Sequence, residues 1–310
     1  MKILLTGAGG FVGQALTRQL EQAGFEVLDG DIHSTRYRLN VLDRDHLTAL
    51  ALEHQPTVLV HAAARTTATR EDELDLLEVN VQGTINAMFA ARAAKVKHFI
   101  LLSSAGVYAP EQATPIGEDG ILRNDKAYSL SKTLAEQGCE LGKPEGMTLW
   151  ILRLAAMYGP NEHASSSRAG VSLIGQMAEQ FLGPKNIVLP HKNFDEYNFL
   201  HTADLACLIQ IIAKRRGDKK THLYNVGGIA IGASWILNTY QIVYGDLNKA
   251  SVWNAYMPPR HGAIDSSKIK KELKFRPKIP LEQGLLDYPP KNQVFISDTQ
   301  RNQQSKTNQP

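Results

Sequence analysis

Met1-Lys-Ile-Leu-Leu-Thr-Gly-Ala-Gly-Gly-Phe-Val-Gly13 decides the fold. The run Ile3-Leu4-Leu5 predicts a strand buried on both faces, because a parallel strand between two helix layers needs apolar residues on each side. Thr6-Gly7 ends it. Glycines recur at Gly10 and Gly13, and Leu16, Leu20 and Ala23 carry a helical pattern onward. Strand, glycine turn and helix, in that order, suit the pyrophosphate of a dinucleotide. Gly7 permits the tight turn, Gly10 lets backbone approach phosphate, and Gly13 lets the helix pack closely on the strand. The helix N-terminus adds N–H groups and a positive dipole end for the anion. The context carries the reading: the triplet lies behind a strand and ahead of a helix.

Moving outward, the second strand is Phe25-Glu-Val-Leu-Asp-Gly-Asp31. Asp31 lies 18 residues beyond Gly13, close to the ~20-residue offset of a carboxylate that accepts from the adenosine ribose hydroxyls. An acid there repels the extra phosphate of NADP and points to NAD. Arg36 or Ser34, in His33-Ser-Thr-Arg36, is suited to a 2′-phosphate, so NADP stays open. The competing reading of Asp31 is a loop cap.

The 310 residues suit one large domain, or one domain with a lobe. A hydrophobic content of 43% and a charged content of 21% describe a soluble globular protein. The net charge of +3 is small, and the dense basic cluster Lys214-Arg-Arg216 with Lys219-Lys220 reads as a solvated helix end. No nucleic-acid partner is expected. Cys139 and Cys207 sit in helical stretches without ligand spacing, so buried reduced thiols and no metal are expected. Ile3 to Leu5 is too short for a signal-peptide core, and Leu205 to Ala213 too short to cross a bilayer. A cytoplasmic protein without a membrane partner is the expectation.

Strand and helix signals then alternate. Strands are expected at Tyr37 to Val41, Thr57 to Ala64, His98 to Ser104 and Leu149 to Arg153. Helices are expected at Asp43 to His54, Leu76 to Ala94 and Asp125 to Leu141. This is an α/β pattern: a Rossmann-type, doubly wound parallel sheet, with a smaller C-terminal substrate-binding lobe. The expected organisation is a cofactor-binding domain over 1–155, joined by segments returning from about 199–228, and a lobe drawn mainly from 156–290. The polar tail 291–310 reads as disordered.

Tyr128-Ser-Leu-Ser-Lys132 places Tyr and Lys four apart on one helix face. A phenol with an ordinary pKa of ~10 is a poor base at neutral pH. A nearby ammonium and an oxidised nicotinamide favour phenolate. The phenolate can then take a hydroxyl proton as hydride moves to the ring, and phenol serves the reverse direction. Ser104 ends the fifth strand, where ligands of open parallel sheets bind, so its hydroxyl is expected at the substrate oxygen.

Thr6-Gly7-x-x-Gly10-x-x-Gly13, His61-Ala-Ala-Ala64, Val79-Asn-Val-Gln-Gly-Thr84, Ser103-Ser-Ala-Gly-Val-Tyr108 and Tyr128-x-x-x-Lys132 together resemble the extended short-chain dehydrogenase/reductases. These are the nucleotide-sugar epimerases, dehydratases and reductases of the NAD-dependent epimerase/dehydratase family. The likeness continues through Met157-Tyr-Gly-Pro160, Phe199-Leu-His-Thr-Ala-Asp204, Tyr224-Asn-Val-Gly-Gly228 and Asp265-Ser-Ser-Lys268. The resemblance implies cofactor contacts at Gly7, Gly10, Phe11, Val12, Asp31, Asn40, Val41, Ala62, Ala63, Ala64, Asn80, Tyr128 and Lys132, beside Gly13. It implies catalysis by Ser104, Tyr128 and Lys132, with substrate against Ser104, Ala105 and Tyr128. It also implies a homodimer through the helices at 76–94 and 127–141, where Met88, Phe89, Leu134 and Cys139 suit a seam or a core equally.

Departures from the family narrow the reaction. The 4,6-dehydratases carry Thr-Asp-Glu where this chain has Ser104-Ala105-Gly106, so the acid and base for water elimination are missing and that reaction is excluded. The segment from Asn40 to Arg65 is similar to dTDP-4-dehydrorhamnose reductase, whose Thr-Asp pair and pocket Trp align with Ser104-Ala105 and Ala156. The 4-epimerases have Asn at Ala156 and Arg-Asp at Tyr197-Asn198, and that Asn and Arg hold substrate phosphates. Arg168, His163 and Arg260 are the candidate replacements. The leading expectation is an NAD(P)-dependent oxidoreductase or epimerase acting on a secondary alcohol or ketone of a sugar or nucleotide-sugar. Ala156 and Tyr197 favour an alternative, a dehydrogenase of a free sugar acid or small carbonyl. A cofactor-binding regulatory subunit is the non-enzyme alternative, against which the intact Ser104, Tyr128 and Lys132 argue.

Overall fold

The computed structural model describes residues 1–66, 69, 71–163, 170–182, 187–189, 197–244, 251–253 and 262–288. The strands in chain order are β1 Lys2–Thr6, β2 Glu26–Asp31, β3 Tyr37–Arg38, β4 Val58–His61, β5 His98–Ser104, β6 Thr148–Leu154, β7 Ala156–Tyr158, β8 Ile187–Leu189, β9 Tyr197–His201, β10 Thr221–Val226, β11 Ile229–Ile231 and β12 Ser251–Trp253. The helices are α1 Phe11–Gln22, α2 Arg44–His54, α3 Glu73–Leu77, α4 Gly83–Ala93, α5 Ala127–Gly142, α6 Leu173–Leu182, α7 Thr202–Ala213, α8 Ala233–Tyr244, α9 Ser267–Glu272 and α10 Leu281–Leu285.

Seven strands pair in the order β10-β6-β5-β4-β1-β2-β3, all parallel. The first six follow the doubly wound order 3-2-1-4-5-6, reversing between β1 and β4, where such sheets open a crevice beyond the strand ends. Alternation along each strand sends side chains to two cores. Ile3 and Leu5 meet Leu16 and Leu20 of α1 and Leu205, Leu208 and Ile212 of α7. Leu4 points the other way, to Leu47 and Leu50 of α2, Ala87 and Ala91 of α4, and Ala135 and Cys139 of α5. Both faces are therefore covered, which is why the strands read as unbroken apolar runs.

Beyond the sheet, β7 pairs parallel with β9 and β9 antiparallel with β11, while β8 and β12 form a separate pair. Tyr158, Ile174, Met177, Phe199, Ile236 and Tyr240 make a third core there.

Several expected elements are trimmed or divided. The third strand keeps only Tyr37 and Arg38, because Asn40 turns the chain: its side chain accepts from the Leu42 N–H at 3.0 Å. Asp43 does not begin α2 but caps it, accepting from the His46 N–H at 3.0 Å. The helix expected from Leu76 starts earlier, at Glu73, and widens into a π-helical turn over Glu78–Gln82 before α4. Cys139 is buried as expected, but Cys207 is exposed, since it falls on the outer face of α7. Met88 and Cys139 lie in the core, whereas Phe89 and Leu134 are exposed. The tail 291–310 lies outside the described residues. No described helix is long and apolar enough to cross a membrane.

Candidate active site

The glycine turn is a close-packed junction with one open side. Gly7 has a φ of +74°, and a Cβ on it would stand 2.5 Å from the Ala63 backbone nitrogen. A Cβ on Gly13 would collide with the Gly7 carbonyl, and one on Gly9 would stand 2.6 Å from an Asp31 carboxylate oxygen. Gly10 differs. It is exposed, its nearest obstacle is the Gly7 oxygen at 3.4 Å, and it caps α1 without a side-chain hydrogen bond. Buried Phe11 and half-buried Val12 open the first turn of α1. A cradle that side chains would fill, set at a helix N-terminus, fits a dinucleotide pyrophosphate.

Around this turn the structure brings Asp31, Ala62 and Ala63. Asp31 ends β2 beside Gly9, and its Oδ1 accepts from the His33 N–H at 2.9 Å, as a loop cap does. Arg36 and Ser34 turn elsewhere: the Arg36 guanidinium donates to Asp29 and Glu21, and Ser34 Oγ accepts from the Arg36 and Tyr37 N–H groups. Asn40 is exposed, while Val41 is buried against Gly83. Ala62, Ala63 and Ala64 run half-buried from the end of β4. Asn80, only 1% exposed, lies on the π-helical turn. Its amide donates to the Arg65 carbonyl and to Ser131 Oγ, and accepts from the Arg65 N–H. Asn80 thus ties the loop after β4 to α5, in the kind of irregular helical turn that recurs at functional sites.

At the end of β5 the second cluster forms. Ser104 Oγ accepts from the Gly106 N–H at 3.0 Å. A Cβ on Gly106 would stand 3.1 Å from that Oγ and 3.7 Å from the Tyr128 ring, so Ser104 and Tyr128 flank one glycine. Ser129 fixes the approach by donating to the Gly106 carbonyl at 2.7 Å. Ala105 turns into the core, 1% exposed. Lys132 is buried one helical turn below Tyr128, with Nζ 5.9 Å from the Tyr128 ring centre and donating to the Leu102 carbonyl at 2.9 Å. Burial pushes its ammonium down to about 8, against the nearby charge of Glu136, which favours the proton.

Sequence reasoning missed the groups beneath. Glu136 is buried and grips Arg153 of β6 at 2.7 Å, and it also accepts from Ser103 Oγ. Arg153 continues to the Tyr108 hydroxyl, which donates to Asn225. The available signal was Glu136 at the same helical spacing beyond Lys132. His61 is fully enclosed, and burial, helped by the Lys132 charge, pushes its imidazole down to about 3. Its Nδ1 shares a 2.7 Å hydrogen bond with Thr6 Oγ1, and its Nε2 has no partner.

Ala156 pairs with Phe199 in register and contributes no polar side chain. Tyr197 is 9% exposed and packs edge-on against Phe199 inside the third core. Asn198 accepts from the Ile264 N–H at 2.8 Å. His163 is exposed on the chain beyond β7. Arg168 and Arg260 lie outside the described residues. Among the described residues no cluster suited to a metal occurs.

Known proteins resemble this chain in sequence and in fold. GDP-L-colitose synthase of Yersinia pseudotuberculosis is 29% identical over 148 residues, 45% of this chain and 47% of that protein. UDP-glucose 4-epimerase of Mycolicibacterium smegmatis is 25% identical over 312 residues, 92% of this chain and 96% of that protein. The solved UDP-glucose 4-epimerase of Stenotrophomonas maltophila, with bound NAD and formylated UDP-arabinopyranose, shares the fold at a TM-score of 0.81 and 19% identity, over 93% of this chain and 96% of that one. The model of the NAD-dependent epimerase/dehydratase family matches residues 3–227. With that match spanning more than half its length, the chain belongs to the NAD-dependent epimerase/dehydratase family.

Proposed function

We propose that this chain is an NAD-dependent epimerase or reductase acting on a secondary alcohol or ketone of a sugar carried on a nucleoside diphosphate. The observation that carries the reading is the convergence of Ser104, Tyr128 and Lys132 at the end of β5, on the same edge of the parallel sheet as the glycine cradle that follows β1. Gly7, Gly10, Phe11, Val12 and Gly13 would hold the pyrophosphate, Asp31 the adenosine ribose, and Asn40, Val41 and Ala62 to Ala64 the walls around it. When bound, the nicotinamide supplies a hydride acceptor and donor. Tyr128 Oη takes the proton of the reacting hydroxyl, or returns it to the carbonyl oxygen. Lys132 places a positive charge under Tyr128 and so favours phenolate. Ser104 Oγ donates to the reacting oxygen and fixes its position. Asn80 positions α5 through Ser131. Residues 1–155 would form the cofactor domain and 156–290 most of the substrate lobe. A homodimer through α4 and α5 would use the exposed Phe89 and Leu134.

A second reading, a dehydrogenase of a free sugar acid or small carbonyl, is favoured by Ala156 and by the buried ring of Tyr197, where phosphate-gripping groups would otherwise stand. Two measurements test both. Tyr128→Phe should lower turnover by about 10²–10⁴. Retention of full turnover would overturn the mechanism. Calorimetric titration of UDP, dTDP and GDP into the NAD-saturated protein should give micromolar binding of one of them. Binding of none would overturn the nucleotide-sugar substrate in favour of the second reading.

A further inference from the structure

Arg36 is the cation nearest in sequence to Asp31, yet it faces away from the position proposed for the ribose. Val27, Asp29 and Asp31 share the face of β2 that α1 covers, since alternate residues of a strand point the same way. The Arg36 guanidinium lies back along that face. Its Nε donates to Asp29 Oδ1 at 2.9 Å, and its Nη2 donates to Glu21 Oε1 of α1 at 2.9 Å and to the Val27 carbonyl at 3.1 Å. Val27 is four residues before Asp31, which is ~13 Å of strand at a rise of ~3.3 Å per residue. Ser34 is drawn in as well: its Oγ donates to Asp29 Oδ2 at 3.4 Å and accepts from the Arg36 N–H at 3.2 Å. Both groups suited to a 2′-phosphate are therefore committed to the protein. The cavity between α1 and this loop is lined by Gly9, Arg18, Glu21, Asp29 and Ser34 among others. Whatever enters it from the glycine turn meets two carboxylates, with Arg18 as the cation on the same lining.

We propose that Glu21 and Asp29 are specificity-determining residues that select NAD by holding Arg36 away from the ribose, leaving the chain with a latent NADP-binding arginine. This rests on the coenzyme reading above and adds the residues that choose between the two coenzymes. Asp31 alone repels a phosphate. The clasp removes the cation that would offset that repulsion. Its strength is modest, because Glu21 and Arg36 are 41% and 53% exposed and exposed ion pairs are weak. Releasing Arg36 should therefore change the preference by about tenfold, not by many orders of magnitude.

The test is equilibrium titration of the full chain with NADH and with NADPH, followed by nicotinamide fluorescence. The unaltered chain should prefer NADH. Glu21→Gln with Asp29→Asn should tighten NADPH about tenfold and leave NADH little changed. Adding Arg36→Ala to that pair should remove the gain, and Arg36→Ala alone should leave the preference for NADH standing. Three results would overturn the proposal: an unmoved preference in the double variant, a gain that survives Arg36→Ala or vanishes with Arg18→Ala instead, or a tenfold loss of NADPH binding from Arg36→Ala alone. Failure of the unaltered chain to bind either coenzyme would remove the coenzyme reading itself, a result distinct from an unmoved preference.

Discussion

In the seven-stranded sheet the chain builds its crevice from short, repeated βα units, whereas the region around β7, β9 and β11 is tied together across long stretches of sequence. The β1 strand, the glycine turn and α1 lie within Lys2 to Gln22. By contrast, the Tyr288 hydroxyl accepts from the Gly159 N–H 129 residues away and donates to Glu162, and His201 pairs with Asp287 at 2.7 Å across 86 residues. The first region carries most of the motifs by which the sequence resembles the family. The second has Ala156 and Tyr197 where the resemblance expects the Asn and Arg that hold substrate phosphates. One scaffold can host different sites when the regions grafted onto it change.

The comparison can be broken or sharpened by experiment. The largest effect is expected at Gly13→Val. The new side chain strikes the Gly7 carbonyl, so coenzyme binding should vanish and stability fall by ~3 kcal/mol. Fluorescence titration and a thermal melt check this, and retained binding would deny the cradle its role.

Next come two consequences of burial. Turnover should decline as pH rises through about 8, where Lys132 loses its charge, and the kcat/KM profile of the free enzyme reports it. A profile flat through that value would mean the ammonium is not needed. His61 is held neutral in the native state down to about 3, against an ordinary 6.5. Between those values the unfolded chain binds a proton that the native chain does not, so stability falls as pH drops from about 6.5 toward 3. His61→Asn keeps a partner for Thr6 and should flatten that slope, measured by urea melts at pH ~4 and ~7.

The smallest effect belongs to the lobe. Tyr288→Phe loses the hydroxyl that joins Gly159 to Glu162 and should cost about 1–2 kcal/mol. Coenzyme affinity should stay unchanged, and an equal loss there would show that the two regions do not act separately.

Composition and periodicity alone determined the α/β class, the strand–glycine–helix opening, and the candidates Asp31, Ser104, Tyr128 and Lys132. Each rests on short-range rules: a buried strand is apolar throughout, a tight turn needs glycine, and residues four apart share a helix face. Tertiary structure alone decided the rest. It turned Arg36 and Ser34 toward Asp29, buried Tyr197 against Phe199, committed Asn80 to Arg65 and Ser131, and set the Glu136–Arg153 pair beneath the site. None of these is legible locally. A polar side chain finds its partner only when elements distant in sequence are packed, and burial, which moves the protons of Lys132 and His61, exists only once they are.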